Sequence, residues 1–219
     1  MCGIAGVIHR GKTSDIGSEM TSMLTALKHR GPDSTGFAVY GKPADNNNEF
    51  VMRFKVAEQE DLNKGSNILS TIAERRAAVN GRMAEHNAKI LTEVDATEYA
   101  YRYAFSFDGD DAALEKMTRY IEELEGAEIL SLGRGLELVK DLGDANVVSD
   151  QYGLKGFQGT HALGHTRMAT ESDVDIRSAH PYWAYPYNDI SVVHNGQITN
   201  YWIMRRQMEF KEIGRASCR

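Results

Sequence analysis

The spacing of apolar residues along the chain predicts its elements before any chemistry is considered. Gly3 to His9 is a short, largely apolar run and reads as a buried strand. Met20, Met23, Leu24 and Leu27 recur at i, i+3, i+4 and i+7, which predicts an amphipathic helix from about Ser18 to Lys28, stopped by Arg30-Gly31-Pro32. Ser34 to Tyr40 and Glu49 to Val56 carry strand patterns. The polar run from Lys42 to Asn48 between them has the composition of a hairpin loop. The opening thus reads as strand, helix, hairpin.

From about 58 to 157 the texture turns charged and helix-favouring, notably over Ile68 to His86 and Ala112 to Leu124. Tyr99 to Phe105 interrupts it with strand-like alternation. This stretch reads as an inserted or enlarged region within a domain covering 1–211. Gly133-Arg134-Gly135 lacks the remainder of a dinucleotide fingerprint and reads as a plain turn. Asp108, Asp110 and Asp111 lack calcium-loop spacing and read as a solvated turn. Strands return at Gly159 to Arg167 and Ile190 to His194, and a helical stretch follows from about Ile198 to Lys211.

Composition narrows the class. Lys and Arg number 25 against 31 Asp and Glu, a balance that argues against nucleic-acid binding. No run approaches the length and apolarity of a membrane span, and no signal-peptide pattern precedes the first strand. The expectation is a soluble cytoplasmic protein, and its two cysteines suit a reducing compartment better than a disulfide framework.

The candidate chemistry begins at Cys2. Removal of Met1 would leave a cysteine bearing a free α-amino group, which places a nucleophile and a base in one residue. A cysteine taken alone is more often a small buried apolar residue than a catalyst. Attack on an amide creates an oxyanion that needs donors, and Asn195-Gly196 offers a side-chain amide next to a glycine N–H; the same dipeptide is also a strong turn former. Arg167 could clamp a carboxylate bidentately, or serve as an ordinary ion-pair arginine. Thr170 adds a hydroxyl and Glu171 a charge nearby. His161, His165, His180 and His194 crowd the same third, but the first two lie in a strand-like stretch rather than on a metal-binding helix, so no metal is assigned.

Four motifs in order turn these separate readings into a family resemblance. Met1-Cys2-Gly3-Ile4-Ala5-Gly6, His29-Arg30-Gly31-Pro32-Asp33-Ser34-Thr35-Gly36, Gly164-His165-Thr166-Arg167-Met168-Ala169-Thr170 and His194-Asn195-Gly196 together resemble class II glutamine amidotransferases, a branch of the N-terminal nucleophile hydrolases. Met168 to Ser172 and Ser178-Ala179-His180-Pro181 look most like stand-alone amidotransferase subunits of the glutamate-synthase type. The resemblance covers roughly 1–56 and 159–211. It implies an α+β fold, a four-layer αββα sandwich, and hydrolysis of glutamine to glutamate and ammonia. It further implies that Cys2 forms a glutamyl thioester with its own α-amino group as base, and that Asn195 and Gly196 make the oxyanion hole. Arg167 would hold the substrate carboxylate beside Thr170, with Arg30 and Asp33 in support. The ammonia would pass to a separate synthase subunit, which could carry a flavin; this chain has no flavin motif and no cofactor of its own.

Two departures qualify the resemblance. Several members have His where this chain has Glu171. The acidic residue that usually binds the glutamine α-amino group, some way beyond the Asn-Gly pair, has no counterpart here. The ending from Glu212 to Arg219 resembles translated adapter sequence, so a non-native tail at 212–219 and a C-terminally truncated domain are expected. Two other functions share parts of this pattern: an N-terminal nucleophile hydrolase of another amide, and a non-catalytic regulatory subunit.

Overall fold

The computed structural model describes residues 2–58, 61–62, 67–168, 176–196 and 198–210. The chain passes through β1 (Gly3–Ile8), β2 (Ser14–Asp15), α1 (Ile16–Ala26), a 3-10 turn at Lys28–Arg30, β3 (Ser34–Gly41), β4 (Glu49–Lys55), α2 (Ile68–Glu85) and β5 (Lys89–Asp95). It continues through β6 (Ala100–Ser106), α3 (Asp111–Glu122), β7 (Glu128–Gly133), β8 (Leu136–Leu142), α4 (Ala145–Gln151) and β9 (Gln158–Arg167). A 3-10 turn at Ile176–Ser178 leads to β10 (Tyr182–Trp183), β11 (Ser191–Val192) and α5 (Tyr201–Phe210).

The first sheet has the order β1-β9-β3-β8, with β2 also on β9, and every pairing is antiparallel. Gly3 lies opposite Thr166, and Ser34 lies opposite both Arg167 and Leu142. The start of β1, the end of β9 and the start of β3 therefore meet at one end of this sheet. Helix α1 begins where the Asp15 carboxylate accepts from Ser18 N, and it buries Ile16, Met20 and Leu24 against the sheet beside α4.

The second sheet runs β5-β6-β4-β7, again all antiparallel. Strand, helix, strand, strand, helix, strand in this spatial order is the split βαβ arrangement. One face is aromatic: Phe50, Met52 and Phe54 of β4 pair with Phe105, Tyr103 and Tyr101 of β6. These side chains join Ile72, Val79 and Met83 of α2 and Leu114, Met117 and Ile121 of α3 in one core. Burial of each is worth roughly 1.5–3 kcal/mol, which explains why two helices with mostly charged outer faces stay docked. Asp110 caps α3 by accepting from Ala113 N, and Asp108 accepts from Asn48 Nδ2, so the acidic group at 108–111 does structural work at a helix start.

Where the sheets meet, charged groups are buried beside apolar contacts such as Leu130 of β7 with Leu136 and Leu138 of β8. Glu137 of β8 accepts from Arg53 Nε of β4 at 2.8 Å and from Arg102 Nε and Nη2 of β6, both at 2.8 Å. Burial alone would raise the Glu137 carboxyl, but the two guanidinium groups overcome it and hold the group below its ordinary value. Lys55 and Lys140 converge on Glu128, and Tyr99 and Tyr152 both donate to Asp141 at 2.8 Å. Two antiparallel sheets, each bearing a pair of helices, are compatible with an α+β sandwich.

The structure corrects one element of the sequence reading. β3 and β4 are not a hairpin: β3 pairs with β8 and β9, whereas β4 pairs with β6 and β7. Both edges of β3 are already occupied, so residues 42–48 carry the chain from one sheet to the other. The Ile190 to His194 strand shortens to Ser191–Val192, and β8, within the stretch read as enlarged, belongs to the first sheet.

Candidate active site

Cys2 immediately precedes β1 and is half-buried. Met168, one residue past β9, holds the sulfur: its N–H donates to Cys2 Sγ at 3.4 Å, and its carbonyl oxygen lies 3.8 Å from the same atom. Asn195 Nδ2 donates to the Cys2 carbonyl oxygen at 2.8 Å, across 193 residues of sequence. Gly196 follows it at the surface. The side chains most suited to acyl chemistry thus come together at a strand end, a common place for sites on a rigid sheet.

The neighbouring chain is packed on the same end. Arg167, buried at 7% exposure, closes β9, and its carbonyl accepts from Asp33 N at 3.1 Å. Arg30 ends the 3-10 turn just before Gly31. A Cβ at Gly31 would lie 2.5 Å from the Thr166 carbonyl carbon and oxygen, so only glycine lets this turn rest on the end of β9. Cys2, Arg167, Asn195, Gly196, Arg30 and Asp33 are thereby gathered at one edge. Thr170 and Glu171 lie outside the described residues, as do Met1 and the 212–219 tail.

Three histidines surround this edge in a way their spacing did not disclose. His165 on β9 is 1% exposed, and its ring sits 4.9 Å from that of His180. His180 Nδ1 accepts from His194 N at 3.2 Å. Burial pushes both rings down to about 4, helped at His165 by the charge of Arg167 and at His180 by His165, Lys140, His194 and Arg167. Both are neutral imidazoles at physiological pH. Among the described residues no three His, Cys, Asp or Glu side chains converge as metal ligands.

The hairpin linking His180 to Asn195 is fastened from below. Asp189, in the left-handed backbone region at φ 58°, accepts from the backbone N–H groups of Arg134, Gly135 and Leu136 at 2.8–3.0 Å. The turn at 133–135 is therefore an anion nest, filled by a carboxylate of the same chain. Tyr40 and Ser191 add a hydroxyl pair at 2.8 Å. A separate cleft of about 430 Å³ opens beside α2 and β6, where Arg76 is already engaged by Glu93, Asp95 and Tyr103.

The site thus places the Asn195 side-chain amide on the Cys2 backbone while the thiol rests on Met168, and comparison with known proteins adds an independent observation. No family model matches the chain. It is similar to a putative glutamine amidotransferase of Methanothermobacter thermautotrophicus, 37% identical over 212 residues, covering 96% of this chain and 66% of that protein. It is also similar to the glutamine amidotransferase-like protein GlxB of Rhizobium meliloti, 29% identical over 212 residues, 95% of this chain and 62% of the relative. A shorter match, 33% identical over 110 residues, links 47% of the chain to 17% of a glutamine–fructose-6-phosphate aminotransferase of Methanosarcina acetivorans. The chain spans somewhat under two thirds of the length of the first two relatives.

Proposed function

We propose that this chain is the glutaminase domain of a class II glutamine amidotransferase with an N-terminal nucleophile hydrolase fold. The observation that carries the reading is the approach of Asn195 to Cys2, with Arg167 on the adjoining strand end. The similarity to proteins named for glutamine amidotransfer supports the same substrate. After removal of Met1, the α-amino group of Cys2 takes the thiol proton and the sulfur attacks the glutamine side-chain carbonyl. The amide of Asn195 and the N–H of Gly196 then donate to the oxyanion. Collapse breaks the C–N bond, the α-ammonium returns its proton to the departing nitrogen, and ammonia leaves with a glutamyl thioester behind. Water cleaves the thioester to glutamate and restores the thiol. Arg167 and Thr170 hold the α-carboxylate, with Arg30 and Asp33 behind them. The ammonia passes to a separate synthase subunit of the glutamate-synthase type, in the cytoplasm.

The test is mass spectrometry of the full chain after exposure to a diazo-ketone analogue of glutamine. Loss of Met1 and glutamine-protected labelling at Cys2 are expected, and Cys2→Ala should abolish both labelling and ammonia release. A folded protein that keeps Met1, or that lacks the initiator methionine and remains unlabelled, would overturn the reading.

A further inference from the structure

We propose that His180 is a positioning residue for the oxyanion hole: its Nδ1 takes the His194 backbone N–H and so sets where the Asn195 amide points. The inference rests on the glutaminase reading of Cys2 and Asn195 and adds a residue which that reading does not use.

The hydrogen bond from His194 N to His180 Nδ1 is 3.2 Å long, and the next residue along the chain is Asn195, which touches Cys2. His180 is itself held on three sides. Its carbonyl oxygen lies where a Cβ of Gly36 would come within 2.1 Å, so this backbone rests on the bare strand β3. Its ring meets His165 at 4.9 Å and the Tyr182 ring edge-on at 4.5 Å. Tyr182 in turn carries Lys140 Nζ at 4.8 Å from its ring centre. A ring gripped by the sheet and used as an acceptor transmits the position of β3 and β9 to the Asn195 loop. Among the described residues, His194 to Gly196 are exposed and the strand pairing ends at Val192.

The acceptor role demands an unprotonated Nδ1. The charged and titratable groups that surround the ring are His165, Lys140, His194 and Arg167, and the cationic Lys140 and Arg167 oppose a positive charge on it. Among the described residues none of these groups is a carboxylate. The tautomer with the proton on Nε2 is the one that leaves Nδ1 free to accept.

Two substitutions separate this role from simple packing. His180→Phe keeps the ring volume and removes the acceptor, whereas His180→Asn places Oδ1 where Nδ1 stood. In the full chain, His180→Phe should lower kcat for glutamine hydrolysis on the order of 10²-fold, with KM changed by less than about threefold, because a transition-state donor is displaced while carboxylate binding remains. His180→Asn should recover kcat to within about tenfold of wild type. Independently of activity, amide exchange at His194 should accelerate at least about tenfold in His180→Phe and return in His180→Asn. Unchanged kcat and unchanged His194 exchange in His180→Phe would overturn the proposal, as would a rise in KM alone. Should His180→Phe fail to fold, the Asn variant decides: wild-type exchange at His194 with near-wild-type kcat supports the role, and fast exchange or lost turnover in a folded Asn variant sinks it. Failure of the glutaminase reading looks different, because the wild type itself would then release no ammonia while His194 exchange still answers to position 180.

Discussion

At the scale of single residues, the site is defined by what touches Cys2. Sequence alone suggested Cys2, Asn195 and Arg167, since an N-terminal thiol, a side-chain amide before glycine and an arginine at a strand end each have a chemical reason to be there. Met168 and His180 were not legible as contacts: one acts through its backbone, and the other through a ring nitrogen whose partner lies 14 residues further on. On the proposed glutaminase reading, arginine at 167 matters for its fork. Arg167→Lys should raise KM for glutamine at least about tenfold with a smaller change in kcat, because an ammonium cannot bind a carboxylate at two points. Steady-state kinetics, with a melting curve to confirm the fold, checks this.

At the scale of elements, the two-residue turn at Arg134-Gly135 is more informative in space than in sequence. Its pattern excluded a dinucleotide site, yet it does bind an anion, supplied by Asp189. Asp189→Ala would leave three backbone donors without their acceptor and should cost about 1–3 kcal/mol, read from urea unfolding, while Asp189→Asn should recover most of the loss. The 42–48 segment departs from the hairpin its composition predicts for a related reason. Local turn composition at 42–48 is satisfied equally by a crossing between sheets, and pairing partners more than 90 residues away leave no mark on a short window. Helices α2 and α3, by contrast, are readable in outline, because long charged stretches of helix-favouring residues carry their own local preference.

At the scale of the whole molecule, the seam between the sheets hid β8 from the sequence. Glu137, Lys140 and Asp141 look like residues of a solvated segment, but all three are buried at 4%, 3% and 0% exposure and are answered by groups from elsewhere in the fold. Removing one member should be severe: Glu137→Ala leaves two guanidinium groups side by side and should cost about 3–5 kcal/mol, measurable as a large drop in urea midpoint. Acid should act on the same scale. His165 and His180 stay neutral down to about 4 when folded but ionise near 6.5 when unfolded, so stability they permit above pH 6.5 is lost progressively as pH falls towards 4. Glu122 has the opposite sign, since burial raises its carboxyl to about 7 and its share of stability fades as pH rises from 4.5 through 7. Urea midpoints against pH for wild type and Glu122→Gln should therefore diverge above pH 5, the variant being the more stable at pH 8, while both decline between pH 6.5 and 4.

The charged seam also bears on the order in which the molecule comes together. An aromatic face is costly to leave in water, which favours early docking of α2 and α3 on the second sheet, whereas a face of arginine, lysine and glutamate can remain hydrated until its counterpart arrives. Charge is one part of the union of the two sheets, since Leu130 of β7 also clusters with Ala38 of β3 and with Leu136 and Leu138 of β8, so added salt acts on the ionic share of the contact and leaves the apolar share in place.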